Sequence, residues 1–383
     1  MNKLYPKNLL LFIAAICTAS IFAQSSQTFS VRTLNADGRP AKILWVSVNE
    51  EGPGEKYTKV ISQYLTDYPV DFIGLQENFD FNTELYSIAG SIYDRDEFSG
   101  GIDISSFNLA NLKVPGDGLS AFWQKQHTVE MERVAWNENY GKFDHGNDDL
   151  CTKGFRRYEL TTKDGIDLRL YNMHMDASSD EDEAAGKDGP DRDARLKQWI
   201  QLREDILEHM DGKPIIVMGD MNSYYARDEV KANFIDAIQQ TERATVSDVW
   251  IELERNGQYP EHEEGPVMKD EEQGWFRKGE TLDKILYINP NTRYQLRPIE
   301  VEIDRTGYVR DDGTPLGDHF PLSATFIIED TDGIDTPPYG HLSTLNSQLS
   351  TTIYAPDGRR IPRLQRGLNI VRMSDGTARK IHY

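Results

Sequence analysis

The feature that most constrains this sequence is a set of short apolar runs, each stopping on polar residues that packing alone does not require. Ile43-Leu-Trp-Val-Ser-Val48, Val70-Asp-Phe-Ile-Gly-Leu75, Leu168-Arg-Leu-Tyr-Asn-Met173 and Pro214-Ile-Ile-Val-Met218 have the length of buried strands rather than helices. Stretches with helical spacing lie between them. Residues 56–65 put Val60, Ile61, Tyr64 and Leu65 on one face, and residues 192–210 repeat Leu196, Trp199, Ile200, Leu202, Ile206 and Leu207. This alternation runs from about residue 28 to 326 and predicts an α/β chain.

The 383 residues are 38% hydrophobic, enough for one large core with a small module beside it. Residues 1–23 read as a signal peptide: Lys3 and Lys7, then an apolar run from Leu9 to Phe22, then Ala23 before Gln24-Ser25-Ser26. The run is too short for a comfortable transmembrane span. Ile16 is bulkier than a lipoprotein cleavage site usually tolerates before Cys17, so ordinary cleavage is expected. The expectation is an exported protein (periplasmic, outer-surface or secreted), monomeric and without a transmembrane segment. Cys151 then stands alone and cannot form an internal disulfide, and it reads as a small hydrophobe.

Net charge is −21, from 63 acidic and 42 basic side chains. Non-specific DNA binding releases counterions with Lys and Arg, so this sign argues against a general DNA-degrading role and suits a protein that binds cations. A polar, Pro-rich linker is expected at residues 329–340, after a body spanning 28–328. Residues 341–383 read as a small β-rich tail, with turns at Pro356-Asp-Gly358 and Ser374-Asp-Gly376. Seven Arg or Lys against two Asp give this tail +5 and leave the body near −26. Residues 178–193 form an acidic loop, read as solvated. Residues 241–280 are charged and irregular.

The chemistry gathers where the apolar runs end. The segments are Val48-Asn49, Leu75-Gln-Glu77-Asn78, Asn172-Met-His174-Met-Asp176, Met218-Gly-Asp220-Met-Asn222, Thr281-Leu-Asp283-Lys-Ile285 and Gly317-Asp318-His319-Phe-Pro321. One such ending proves little, because Asx residues cap turns; six in one chain carry weight. In this order they resemble the endonuclease/exonuclease/phosphatase superfamily, which includes pancreatic deoxyribonuclease, apurinic endonucleases, inositol polyphosphate phosphatases and neutral sphingomyelinases. The resemblance covers about residues 40–327. Asp117-Gly-Leu-Ser120, Thr152-Lys-Gly-Phe155, His174-x-Asp176 and Arg195-x-x-Gln198 bring it closest to the neutral sphingomyelinase-like branch.

The resemblance implies a four-layer α/β (α+β) sandwich of two packed mixed sheets flanked by helices. It implies Mg²⁺, with Mn²⁺ as the alternative, held by Glu77 and Asn49. Asp318 joins the metal shell or positions His319. His319 is the implied base and Asp283 its partner; Asp220 orients or deprotonates the water, with the choice between Asp220 and His319 as proton acceptor left open. Asn222 holds a phosphate oxygen, and His174 donates to another or to charge developing in the transition state. The residue types suit the reaction: a phosphodiester repels hydroxide and its leaving alkoxide gathers charge, and a hard cation on oxygen ligands answers both.

There are departures. Glu50 follows Asn49 where an aliphatic residue is usual, and Gly317 replaces a common Ser. Residues 285–317 lack an exposed Trp-Phe pair of the kind membrane-attacking bacterial sphingomyelinases carry; Trp275-Phe276 lies earlier and reads as core. The expectation is therefore a metal-dependent phosphoester hydrolase acting on a phospholipid, sphingomyelin-like or other small phosphodiester. The alternatives are a secreted nuclease, which wants a basic groove, and a sugar or inositol phosphate phosphatase, which wants several cations near Asn222. Lys125, Lys153, Arg156 and Arg157 are available for that. A silent binding domain would lose the His or the metal acid, and this chain keeps both.

Overall fold

Ile215 and Val217 face one way along a strand and Ile216 and Met218 the other, and all four are fully buried. A strand with both faces covered has no reason to alternate polar and apolar residues, which is why its sequence is a continuous apolar run. The computed structural model containing it describes residues 27–39, 42–43, 46–47, 52–97, 116–141, 145–179, 182, 185–227, 229–260, 276–277, 280–331, 352–355, 359–361, 368–372 and 378–382. The signal-like segment 1–23 and most of the linker lie outside the described residues. Among the described residues no helix is long and apolar enough to cross a membrane.

In chain order the strands are β1 (Gln27–Gly38), β2 (Lys42–Ile43), β3 (Val46–Ser47), β4 (Phe72–Asn78), β5 (Tyr93–Arg95), β6 (Ser120–Gln124), β7 (Thr128–Ala135) and β8 (Gly154–Thr161). They continue with β9 (Asp167–His174), β10 (Ile215–Asp220), β11 (Ala244–Asp248), β12 (Phe276–Arg277), β13 (Glu280–Thr281), β14 (Asp283–Pro290), β15 (Tyr294–Ile303) and β16 (Leu322–Asp330). One six-stranded sheet has the order β15-β16-β1-β4-β6-β5, and the other β11-β14-β10-β9-β8-β7. Each is mixed, with one parallel pair near its centre: β1 with β4, and β9 with β10.

Three apolar layers hold the sandwich together. Helix α1 (Gly54–Asp67) packs Ile61, Tyr64 and Leu65 against Leu34, Ile73 and Leu75 of the first sheet. Phe29, Val31 and Phe72 of that sheet meet Leu170, Ile216 and Met218 of the second. On the far side, α2 (Gly189–His209) lays Trp199, Leu202 and Ile206 on Met173, Ile215 and Val217. Helix, sheet, sheet and helix are the four layers expected.

Towards one end the apolar filling between the sheets gives way to a hydrogen-bonded polar layer. Asn172 Nδ2 donates to the carbonyls of Leu75 (3.1 Å) and Ser120 (2.9 Å), and Gln76 Nε2 donates to Asn172 Oδ1 (2.6 Å). Gly74 makes room for this: a Cβ there would stand 2.9 Å from Asn172 Oδ1. Buried amides with every strong bond made fix one registration of the two sheets, and they do so just below the strand ends that carry the chemistry.

One expected strand is different. The described parts of Ile43–Val48 are β2 and β3, which pair antiparallel with each other and join neither large sheet. The strand that runs beside β4 is β1, whose pairs include Leu34 with Leu75 and Asn35 with Gln76. Residues Thr331–Tyr383 form a second compact unit, an antiparallel four-stranded sheet of Arg360–Ile361, Thr352–Tyr354, Leu368–Arg372 and Ala378–His382 in that order.

Candidate active site

Strand register assembles the site. Asp220, the last residue of β10, is paired with His174 at the end of β9 on one side and with Asp283 at the start of β14 on the other. Gly219 lets β10 come this close: its φ is +150°, and a Cβ would sit 2.1 Å from the Met173 carbonyl oxygen. From the first sheet, Asn35 reaches across so that its Nδ2 donates to Asp220 Oδ2 at 3.0 Å. The carboxyl ends of β1, β4, β9 and β10 therefore meet at one end of the sandwich.

Two neighbouring clusters result. In the first, His319 Nδ1 lies 2.7 Å from Asp283 Oδ2, and its Nε2 faces Asp220 Oδ2 at 3.7 Å. Ligand atoms of Asp220, Asp283 and His319 all lie within 4.8 Å of one another. Burial opposes charge on the ring, but the carboxylates of Asp283 and Asp220 outweigh it and hold the His319 pKa well above the ordinary histidine range. Burial raises the carboxyl of Asp220. Asn222 donates its backbone N–H to Asp220 Oδ1 (3.2 Å) and its side-chain amide to the Met175 carbonyl (3.2 Å).

In the second cluster Asp37, Glu77 and Asp318 converge on the guanidinium of Arg39, at 3.0, 2.8 and 3.1 Å. Burial and the nearby Asp318 push Asp37 up to about 7, and burial raises Glu77 as well. Asp318 Oδ1 is buried with no hydrogen-bond partner. These acids give an all-oxygen donor set with one oxygen unsatisfied, the kind a hard divalent cation takes, while among the described residues the trio whose ligand atoms lie within 4.8 Å of one another is Asp220, Asp283 and His319. Asp37, Glu77 and Asn222 all have left-handed backbones, with φ of 48°, 51° and 45°. Non-glycine residues rarely hold this conformation, and strain of this kind gathers at functional sites.

The two clusters are joined by His174, whose Nε2 is 3.5 Å from Asp220 Oδ2 and 4.0 Å from Glu77 Oε1. Lys153 Nζ, which can only donate, is 3.1 Å from that same Nε2 and also donates to the Met175 carbonyl. Lys153 thus places a second donor group beside His174 Nε2. Burial, reinforced by Lys153, lowers the His174 pKa well below the usual value, while pairing with Asp148 overcomes burial to keep Lys153 charged.

The structure therefore brings together Glu77, His174, Asp220, Asn222, Asp283, Asp318 and His319. Asn49 lies outside the described residues. Asn35, Asp37 and Arg39 were missed, and Lys153 was noted only as a spare cation. Of the other three cations, Arg156 is committed to Asp96 (2.7 Å) and Asp117 (2.8 Å), Arg157 to Asp205 and Glu132, and Lys125 to the carbonyls of Gly90 and Ser91. Arg195 and Gln198 support the His174 loop, binding the Asp176 carbonyl (3.2 Å) and N–H (2.9 Å). Cys151 is buried and free, and burial pushes its thiol up to about 12, as a packed hydrophobe requires.

Two mixed six-stranded sheets, packed face to face with the site at their shared strand ends, define the fold of the endonuclease/exonuclease/phosphatase proteins. Among solved structures the chain is similar to an endonuclease/exonuclease/phosphatase family protein from Bacteroides thetaiotaomicron, at 14% identity over 79% of this chain and 98% of that one, with a TM-score of 0.51. It is similar to a humanized D. rerio TDP2 carrying 14 mutations (17% identity, 78% and 98% covered, TM-score 0.50). It is similar also to D. rerio TDP2 complexed with a single strand DNA product (16% identity, 78% and 98% covered, TM-score 0.50). At these identities the likeness establishes the fold. No protein-family model and no curated protein matches the sequence.

Proposed function

We propose that the chain is an exported, divalent-metal-dependent phosphodiesterase acting on a lipid headgroup or another small phosphodiester by attack of water at phosphorus. The observation that carries this reading is the convergence of Asp37, Glu77 and Asp318 beside the Asp220–His319–Asp283 unit. The three acids would hold Mg²⁺ or Mn²⁺, which when bound neutralises phosphate charge and stabilises the leaving oxygen. The proton leaving the attacking water is accepted within the Asp220–His319–Asp283 unit. Asn35 fixes the orientation of Asp220, and Asp283 fixes the tautomer of His319. Lys153, held by the Asp148 carboxylate and the Met175 carbonyl, presents a hydrogen-bond donor beside His174.

The net charge of −21 supports a small or lipid-borne substrate over a long polyanion. A nuclease is the second reading, favoured by the likeness to D. rerio TDP2 holding a DNA product. The test is turnover of bis(p-nitrophenyl) phosphate by the purified protein, with parallel incubations on sphingomyelin, phosphatidylcholine, DNA and inositol phosphates. Turnover is expected with Mg²⁺ or Mn²⁺ and is expected to vanish in EDTA. Activity that persists in EDTA contradicts the metal-dependent reading, and preferential cleavage of DNA replaces the first reading with the second.

A further inference from the structure

Two arginines of this chain that meet more than one carboxylate, Arg156 and Arg39, differ in kind. Arg156 is fully buried and grips Asp117 with two nitrogens, Nε at 2.9 Å and Nη2 at 2.8 Å, while Nη1 holds Asp96 at 2.7 Å. That is a finished structural pairing. Arg39 touches three carboxylates but hydrogen-bonds only two of them, Asp37 Oδ1 (3.0 Å) and Asp318 Oδ2 (3.1 Å), both through the single nitrogen Nη2. Its Nε approaches Glu77 Oε2 at 2.8 Å, yet neither atom makes an aligned hydrogen bond, and Asp318 Oδ1 is left with no partner. Its side chain is 39% exposed and follows Gly38 at the end of β1, so it can leave towards solvent without opening the core.

We propose that Arg39 is an internal counter-cation competing with the divalent metal for Asp37, Glu77 and Asp318, so that the metal seats only as the guanidinium swings out. The inference rests on the metal site of the proposed function. The same oxygens serve both cations, and one guanidinium charge neutralises only part of three carboxylates. A cation of higher charge, bound directly to oxygen, satisfies the cluster better. Arg39 thus keeps the metal-free cluster together while weakening its apparent affinity for metal.

The test is calorimetric titration of MnCl₂ into the full-length protein without substrate, comparing wild type with Arg39→Gln. Arg39→Gln is expected to bind Mn²⁺ at least about tenfold more tightly, because the cation that competes for the same carboxylates is gone. It is also expected to melt earlier than wild type in EDTA and to gain more from Mn²⁺. Arg39→Lys keeps the charge but cannot fork across three carboxylates, so its affinity should fall between the two. It serves as the decisive variant if Arg39→Gln does not fold. An affinity equal to or weaker than wild type in the folded variant overturns the proposal and leaves the proposed function standing. Saturable binding by neither protein at millimolar Mn²⁺ overturns both.

Discussion

Replacing His319 with Asn is expected to lower turnover of bis(p-nitrophenyl) phosphate by about 10³-fold, within the range for a positioned proton-transfer group. His319 stands between two carboxylates, with Nδ1 bound to Asp283 at 2.7 Å and Nε2 facing Asp220 at 3.7 Å. Asn can still donate to Asp283, which limits the penalty of leaving that buried acid unpartnered. It cannot take up or pass on a proton. The melting temperature should fall, because Asp283 and Asp220 lose the charge between them, while kcat of the folded variant collapses and KM changes little. A kcat within tenfold of wild type would remove His319 from the reaction.

Replacing Glu77 with Gln should move activity and stability in opposite directions. Glu77 is one of three acids crowded around Arg39, and burial already raises its pKa. Neutralising it relieves repulsion with Asp37 and Asp318, and Arg39 keeps both of those partners. The melting temperature in EDTA should therefore hold steady or rise, in the manner of active-site residues retained at some expense to stability. Metal-dependent turnover should fall by at least about 10²-fold, because the amide contributes no charge to a cation in a site of hard oxygen ligands. Melting curves with and without Mn²⁺ check this: the upward shift of wild type on adding Mn²⁺ should be lost. A variant that is both less stable in EDTA and equally responsive to Mn²⁺ would place Glu77 among structural residues.

The sequence made the site visible wherever a buried strand ended abruptly in polar residues. Glu77 near the end of β4, His174 and Asp220 as the last residues of β9 and β10, and Asp283 as the first of β14 are all of this kind, and strand register brings three of them side by side. The four layers followed from the alternation of apolar runs with helical spacing. What misled was relative apolarity. Ile43–Val48 is a continuous apolar run, whereas β1 reads Gln-Thr-Phe-Ser-Val-Arg-Thr-Leu-Asn-Ala-Asp-Gly, with polar residues at more than half its positions. Several of those are buried because Thr33 and Asn35 bond across to Gln76 and Asp220 rather than to water. A pattern reading scores such residues as exposed. Asn35, Asp37 and Arg39 were missed for this reason.

Backbone conformation was also hidden. The left-handed φ of Glu77 has no signature in its residue type, and Asp37 and Asn222 belong only to a type enriched in that conformation. The role of Lys153 depended on which nitrogen of His174 it meets, and no spacing along the chain reveals that. A chain-length view saw four spare cations, and packing shows all four engaged with acids or carbonyls, Lys153 alone of them beside His174.

Everything proposed depends on one cation position shared by residues from β1, β4 and the loop before β16. Anomalous diffraction from crystals soaked in MnCl₂ tests it most directly. A single strong peak is expected within about 2.0–2.6 Å of carboxylate oxygens of Asp37, Glu77 and Asp318, with Arg39 displaced and His319 still bonded to Asp283. A peak held by other residues, or none at saturating Mn²⁺, would contradict the account.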